Sequence, residues 1–409
     1  MNAEALFHSH KAIEPPAGVP VWDVDPYDEA ILTDPLPFFE ELRAKGPFVY
    51  FPKYKVLACG RYEETREVFY DHQRFVSSRG VGMADFKLEK PWRPPSVVLE
   101  VDPPEHTHNR RVIMRALSPK VVKTLEEDFE AEAERLVAEV LAQGEIEAVE
   151  AIAEAFPTSV FPRAVGIKEP DARKLVDYGA MVFNAVGPDN PLRQRFMARA
   201  PEIVPWIMEQ CERAQLTDDG IGATMFAAAD EGEITEDVAG MLIRSLLSAG
   251  VDTTVTGIGS ALWCLAQHPE QFEALKADPD KLALPTFEET LRFCTPVQAF
   301  FRTAGEDTAV SGVAIEEGSK ILCVLGSANR DPAKFPDPDR FDISRDTRGH
   351  LALGVGVHAC VGQVIARAEG KAILRAIAGQ VASIDFAGKP QWRPNNSMRA
   401  LDRLPLRLS

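Results

Sequence analysis

The stretch Leu353-Gly354-Val355-Gly356-Val357-His358-Ala359-Cys360-Val361-Gly362 decides how the rest of the chain is read. A cysteine stands just before an apolar, helix-forming run, expected over 361–378, and follows two glycines and a histidine. Backbone N–H groups at a helix start favour a thiolate. The glycines let the backbone come close to a flat ligand, and a histidine two residues before the sulfur can meet a carboxylate. A thiolate held this way suits an axial haem ligand. Taken alone, Cys360 reads more simply as a buried, inert thiol at a helix start, so the decision rests on what surrounds it.

Composition narrows the surroundings. The 409 residues are 45% hydrophobic and 26% charged, an ordinary globular balance that excludes a disordered, collagenous or small disulfide-bonded chain. Length alone points to two or three domains. The net charge of −17 argues against nucleic acid and anionic lipid as partners. The six cysteines are scattered, without C-x-x-C or zinc spacing, which suits a reducing cytosol. Residues 1–20 lack a basic segment followed by an apolar one, so no signal peptide and a cytoplasmic location are expected. The most apolar long run, 241–266, carries Arg244 and Asp252; charges there are costly in lipid, so a buried core helix is expected and not a membrane span.

Along the chain, helices are expected over 34–45, 61–70, 105–117, 120–143, 169–185, 200–215, 219–230, 235–267, 270–277, 286–293 and 361–378. A strand pair is expected over 49–58, another pair over 309–315 and 319–325, and strand-like pieces after 381. The segment 80–95 is a loop by its Gly and Pro content. Gly250, Thr253 and Thr254 disfavour regular helix, so a kink is expected inside 235–267. With no linker and no repeat, the chain reads as one mainly helical unit with small β-sheets, spanning 1–409 with an N-terminal extension over 1–19.

The haem reading gains force from four more segments. The opening stretch resembles the F-G-x-G-x-H-x-C-x-G loop of the cytochrome P450 family at every specified position but the first. Ala249-Gly250-Val251-Asp252-Thr253 resembles its A-G-x-[DE]-T motif, and Glu289-Thr290-Leu291-Arg292 its E-x-x-R motif. Pro338-Asp339-Arg340-Phe341 resembles the segment whose arginine completes a Glu-Arg-Arg cluster, and His106 to Arg110 the H-x-x-x-R motif of soluble bacterial members. The five motifs stand in the family's order, and the resemblance covers about residues 20 to 405. The resemblance implies the single-domain, helix-rich P450 fold around one haem b with Cys360 as axial thiolate.

Each motif then acquires a role by resemblance. Thr253 would orient oxygen and water, and Asp252 would feed protons. By spacing alone the two could be a buried polar pair bonding its own backbone. His106, Arg110, Arg302 and His358 would neutralise two haem propionates. Glu289 and Arg292, at i, i+3, read as a surface ion pair by spacing; with Arg340 the resemblance implies a buried structural network instead. Leu353 stands where the family usually has phenylalanine, which implies more room beside the thiolate and a changed reduction potential. The family also implies O2 as co-substrate, and a separate [2Fe–2S] ferredoxin with an NAD(P)H-dependent reductase. Arg111, Arg115, Lys120, Arg348 and Arg367 are the candidate docking cations, or ordinary surface charge.

The resemblance implies a substrate pocket assembled from the loop before the His-x-x-x-Arg helix, the long central helix, the segment after E-x-x-R, and the tail. Trp92 to Leu99 sets Arg93 and Ser96 in a proline-stiffened loop that ends on Leu99. Arg244 and Ser245 lie two helical turns before Asp252 and Thr253, with Ser248 and Ala249 between them, roughly 12 Å along a helix at ~1.5 Å per residue. Phe183, Val186, Val297 and Phe300 supply apolar wall. A hydrophobic slot with one cationic, hydroxyl-lined end resembles the bacterial monooxygenases of para-substituted benzoates, including the 4-methoxybenzoate O-demethylases. Val186 departs from the aromatic residue usual nearby in those relatives, which bears on the para group. The alternatives are oxidation of another small hydrophobic or aromatic compound, or a non-catalytic haem sensor; a sensor would not need Asp252 and Thr253. A flavin-dependent hydroxylase is excluded by the absence of an early G-x-G-x-x-G.

Overall fold

The computed structural model describes residues 9–409. The part of the expected N-terminal extension before residue 9 lies outside the described residues; from there to 19 the chain runs along a sheet and buries Ile13 and Val19. About half of the chain is helical, as its patterning demands, and one five-stranded sheet flanks the helices. Its strand order is Val49–Phe51, Val56–Cys59, Lys320–Val324, Ala299–Ala304, Phe75–Val76. Only the contact of Val56–Cys59 with Lys320–Val324 is parallel, with Leu57 opposite Ile321 and Cys59 opposite Cys323.

The strand expected over 309–315 is instead a tight hairpin, Thr308–Val310 and Val313–Ile315. Ser311 and Gly312 take positive φ at its turn, the conformation a two-residue hairpin loop requires. The strand expected over 319–325 does not pair with it. Lys320–Val324 is buried on both faces, and a continuous apolar run of this kind belongs at a sheet centre. Helical segments that were not expected include Ala155–Val165, the π-helical turn Val149–Glu154 before it, Pro191–Met197, and the short helices Glu29–Thr33 and Leu325–Ala328. Internal Pro162 disguised the first. The helix expected over 286–293 begins at Pro279, because Asp278 caps it and Pro285 is tolerated inside.

The central helix does break where kinking was expected. Glu236–Ala249 ends at Gly250 and Asp252–Gln267 begins after Val251. Thr253 Oγ1 donates to the Ala249 carbonyl at 2.6 Å and Thr254 Oγ1 to that of Gly250 at 3.1 Å, so hydroxyls sit among the helix carbonyls at the break. Gly250 has a packing reason too: a Cβ there would run into the Phe161 ring. The stretch Glu236–Gln267 is long and apolar enough to cross a membrane, yet more than half of it is buried inside the protein, Arg244 and Asp252 included.

The helix Gln363–Gln380 packs on Pro119–Leu141 and Pro279–Cys294, which carries the cysteine loop against the body. On the other side, the loop over 80–95 is pinned by Lys320. Its Nζ donates to the carbonyls of Arg79, Gly80 and Gly82 at 3.0, 2.9 and 3.0 Å. Burial pushes the Lys320 ammonium down to about 7 against the pull of Asp85. The fold thus fixes the two walls between which an internal cavity lies.

Candidate active site

The cavity runs from Cys360 to Arg93 and Ser96. At one end, the Cys360 N–H donates to the Leu353 carbonyl at 2.8 Å, closing the loop through Gly354 and Gly356, both at positive φ. A Cβ on Gly356 would come within 3.0 Å of the Tyr70 carbonyl, so glycine is required twice over. Burial pushes the Cys360 thiol up, while the N–H groups of Gly362 and Gln363 and the charges of Arg110 and Arg367 pull it down. A metal at the sulfur would deprotonate it outright. Leu353 lines the cavity beside it.

Next to Cys360 is a crowd of cationic and imidazole groups without enough acceptors. His106 is 1% exposed and neither ring nitrogen has a partner. Its ring centroid lies 4.3 Å from that of His358. His358 Nε2 is 3.8 Å from Asp102 Oδ1, too far for a hydrogen bond. Arg302 is buried over the Phe69 ring at 4.1 Å and makes one hydrogen bond, to the Phe301 carbonyl. Arg110 donates to the Ala359 carbonyl at 2.6 Å. Burial, then the charges of His358 and Arg110, push His106 down to about 4; burial pushes Arg302 down to about 10. Buried donors of this kind call for anions. The site therefore fits haem: a thiolate on one face and unsatisfied donors for two propionates at its edge. Asp102, which sequence reasoning missed, accepts from the N–H groups of Ser77 and Ser78 at 2.9 and 3.2 Å and is held well below the usual carboxylate range.

Thr253 lines the cavity, but Asp252 does not. The Asp252 carboxylate is buried and turned toward Arg393, with Oδ1 3.3 Å from Nη2 and Oδ2 unpartnered. Burial raises its pKa despite Arg393. Arg393 was not foreseen; it lies 141 residues away in the chain and no local pattern connects the two.

The far end is polar. Ser96 and Ser245 hydroxyls meet at 3.0 Å, and Ser245 and Ser248 line the cavity with Ala249. Leu99, Phe183, Val186, Val297 and Phe300 form the apolar wall, as expected. Arg93 lines it too, but donates from Nη1 to Glu100 at 3.1 Å. Arg244 departs from expectation. It is 2% exposed and stands behind the loop instead of in the cavity wall, with Nη2 donating to the Pro95 carbonyl at 3.0 Å. Its Nε and Nη1 have no acceptor. The loop carbonyl occupies the ground between Arg244 and the cavity.

The expected Glu-Arg-Arg cluster also needs correcting. Glu289 binds Arg292 through both oxygens, at 2.7 and 2.8 Å, and its second cation is Arg345 at 3.2 Å. The Arg340 side chain is 68% exposed and faces Asp342; only its carbonyl reaches the network, accepting from Arg292 and Arg345. Of the five candidate docking cations, Arg115, Arg348 and Arg367 are already paired with Glu233, Asp346 and Glu288. Arg111 and Lys120 remain exposed.

Comparison with known proteins agrees with this geometry. Residues 169–378 match the family described as Cytochrome P450. The chain is 49% identical to Cytochrome p450 CYP199A2 of Rhodopseudomonas palustris, over 96% of this chain and 95% of that one. It is 33% identical to Cytochrome P450 monooxygenase PikC of Streptomyces venezuelae, over 96% and 95%. Among solved structures it resembles cytochrome P450 CREJ in complex with (4-ethylphenyl) dihydrogen phosphate, with a TM-score of 0.84, 28% identity, and coverage of 94% of this chain and 99% of that one. The chain belongs to the cytochrome P450 family, haem monooxygenases that hold haem b through a cysteine thiolate and take O2 and electrons from redox partners.

Proposed function

We propose that the protein oxidises the para substituent of benzoic acids, for example converting 4-methoxybenzoate to 4-hydroxybenzoate and formaldehyde. The observation that carries this reading is a cavity whose apolar middle separates the Cys360 end from a second polar end, where Arg93, Ser96 and Ser245 converge. A benzoate carboxylate needs charge-assisted donors to offset its desolvation. The ring then lies between Leu99, Phe183, Val186, Val297 and Phe300, which exclude water, and the para group points toward Cys360.

Cys360 would bind the haem iron, and His106, Arg110, Arg302 and His358 would hold the propionates. The group supplies the reductive activation of O2. The chain's own residues supply position and protons. Thr253 presents its hydroxyl to the cavity. Asp252, raised by burial, can carry a proton in from the Arg393 side and hand it to the Thr253 neighbourhood. Hydroxylation of a methoxy carbon gives a hemiacetal, which loses formaldehyde. Val186, smaller than an aromatic residue, leaves room for larger para groups. Electrons would come from a separate [2Fe–2S] ferredoxin, itself reduced by an NAD(P)H-dependent reductase, in the cytoplasm. Its docking face would centre on Arg111 and Lys120.

The test is a titration of the haem-loaded protein with 4-methoxybenzoate. A low-to-high-spin shift that weakens at least tenfold in Arg93→Ala supports the reading. No shift, or a shift insensitive to Arg93→Ala, refutes it.

A further inference from the structure

Glu100 is an unexpected charge in a cavity read as an anion site. It is 7% exposed and lines the cavity. Its Oε2 accepts from the Ser96 N–H at 2.7 Å and from Arg93 Nη1 at 3.1 Å. The same side chain therefore shapes the turn that presents Ser96 and occupies the guanidinium that would take a substrate carboxylate. Arg244 lies close enough to feel both neighbours: Arg93 pushes its pKa down and Glu100 pulls it up. The polar end thus holds two guanidinium groups and one carboxylate in a common low-dielectric region, a balance of one positive unit at pH 8, where the neighbouring Lys320, pushed down to about 7 by burial, is mostly neutral.

Charge matching follows. A monoanion brings this region to neutrality. A neutral ligand leaves a buried positive charge, and a dianion leaves a buried negative one; both are costly away from water. We propose that Glu100 is the specificity-determining residue that restricts the cavity to monoanions, a proposal resting on the carboxylate reading above. Without Glu100 the region would carry two positive units and favour dianions. The related CREJ structure holds an aryl phosphate, so a ligand of that class is a fitting probe.

The experiment uses three probes of one shape on the haem-loaded protein at pH 8: 4-ethylbenzoate, 4-ethylphenyl phosphate and 4-ethylbenzamide. Affinities are read from the spin shift or by displacement of 4-methoxybenzoate, in the unmodified protein and in Glu100→Gln. The amide oxygen of glutamine can still accept from the Ser96 N–H, so the turn is retained. The unmodified protein should prefer the benzoate over both others. In Glu100→Gln the phosphate should tighten at least tenfold more than the benzoate, about 1.4 kcal/mol, because two ligand charges each lose one repulsion. If both ligands change alike while the unmodified protein still prefers the acid over the amide, Glu100 has no such role and the carboxylate reading stands. If the unmodified protein prefers the amide, both fall.

The unmodified protein offers a second readout that needs no variant. The aryl phosphate passes from monoanion to dianion near pH ~6, while the benzoate stays a monoanion and reports any change of charge in the surroundings, that of Lys320 above all. Relative to the benzoate, the phosphate should bind at least tenfold more tightly at pH 5.5 than at pH 8. A flat ratio overturns the proposal.

Discussion

Arg292 and Arg244 are both buried, 0% and 2% exposed, and their surroundings treat them in opposite ways. Every nitrogen of Arg292 has an acceptor: Nε and Nη2 on Glu289, and Nη1 on the carbonyls of Asn329 and Pro338 at 3.1 and 2.9 Å. Arg244 has one acceptor, the Pro95 carbonyl, and two nitrogens with none. A saturated buried guanidinium is a structural rivet, since nothing remains to bind. An unsaturated one carries an open demand for an anion, which a folded protein keeps only where function repays it. The carboxylates differ in the same way: Glu289 is bound by two arginines, Arg292 and Arg345, whereas Glu100 pairs with Arg93 and leaves Arg244 without a carboxylate contact.

The strongest way to break this comparison is Arg292→Leu. Removing one partner of a buried pair should cost about 3–5 kcal/mol, read as a lower denaturation midpoint and poor recovery of haem-loaded protein; an unchanged midpoint would contradict the rivet. Next comes the identity of the third member. Arg345→Ala should cost about 1–3 kcal/mol by leaving Glu289 short of a donor, whereas Arg340→Ala should stay within about 0.5 kcal/mol; the reverse order in thermal melts would reinstate Arg340. Arg244→Met should also have a small stability effect. Replacing an unsatisfied guanidinium by a flexible apolar chain should leave stability within about 1 kcal/mol, while affinity for 4-methoxybenzoate drops about tenfold. A stability loss as large as that of Arg292→Leu would erase the distinction.

These contrasts also explain what was legible in the sequence. The haem end was readable through the family resemblance, because the motifs that carry it are local. Cys360, His358 and the glycines lie within one loop, and His106 and Arg110 on one helical turn. The wall residues followed from the segments that build the distal pocket in the family the chain resembles. Arg340 and Arg345 were not separable by reading alone. Both sit in an irregular stretch, and only the folded path turns Arg345 inward and leaves Arg340 its carbonyl. Arg244 failed for a geometric reason: helix periodicity gives the direction of a side chain but not what the loop over 93–96 interposes. Glu100 and Arg393 escaped because each matters through a partner that tertiary folding supplies, at the cavity end and beside Asp252.

The Lys320 anchor makes the cavity wall sensitive to protons in two opposed senses. Its folded pKa, near 7, lies below the ordinary value of 10.5, so the unfolded chain binds the proton more readily. The cost of burying the ammonium is present in full below pH 7 and is relieved as pH climbs toward 10.5, so this residue makes the fold more stable in alkali. Locally the sign inverts. An ammonium has three donors for the carbonyls of Arg79, Gly80 and Gly82, and a neutral amine has two. Above neutrality the wall loses one of its three ties while the molecule as a whole gains stability, and substrate entry would loosen without any approach to unfolding.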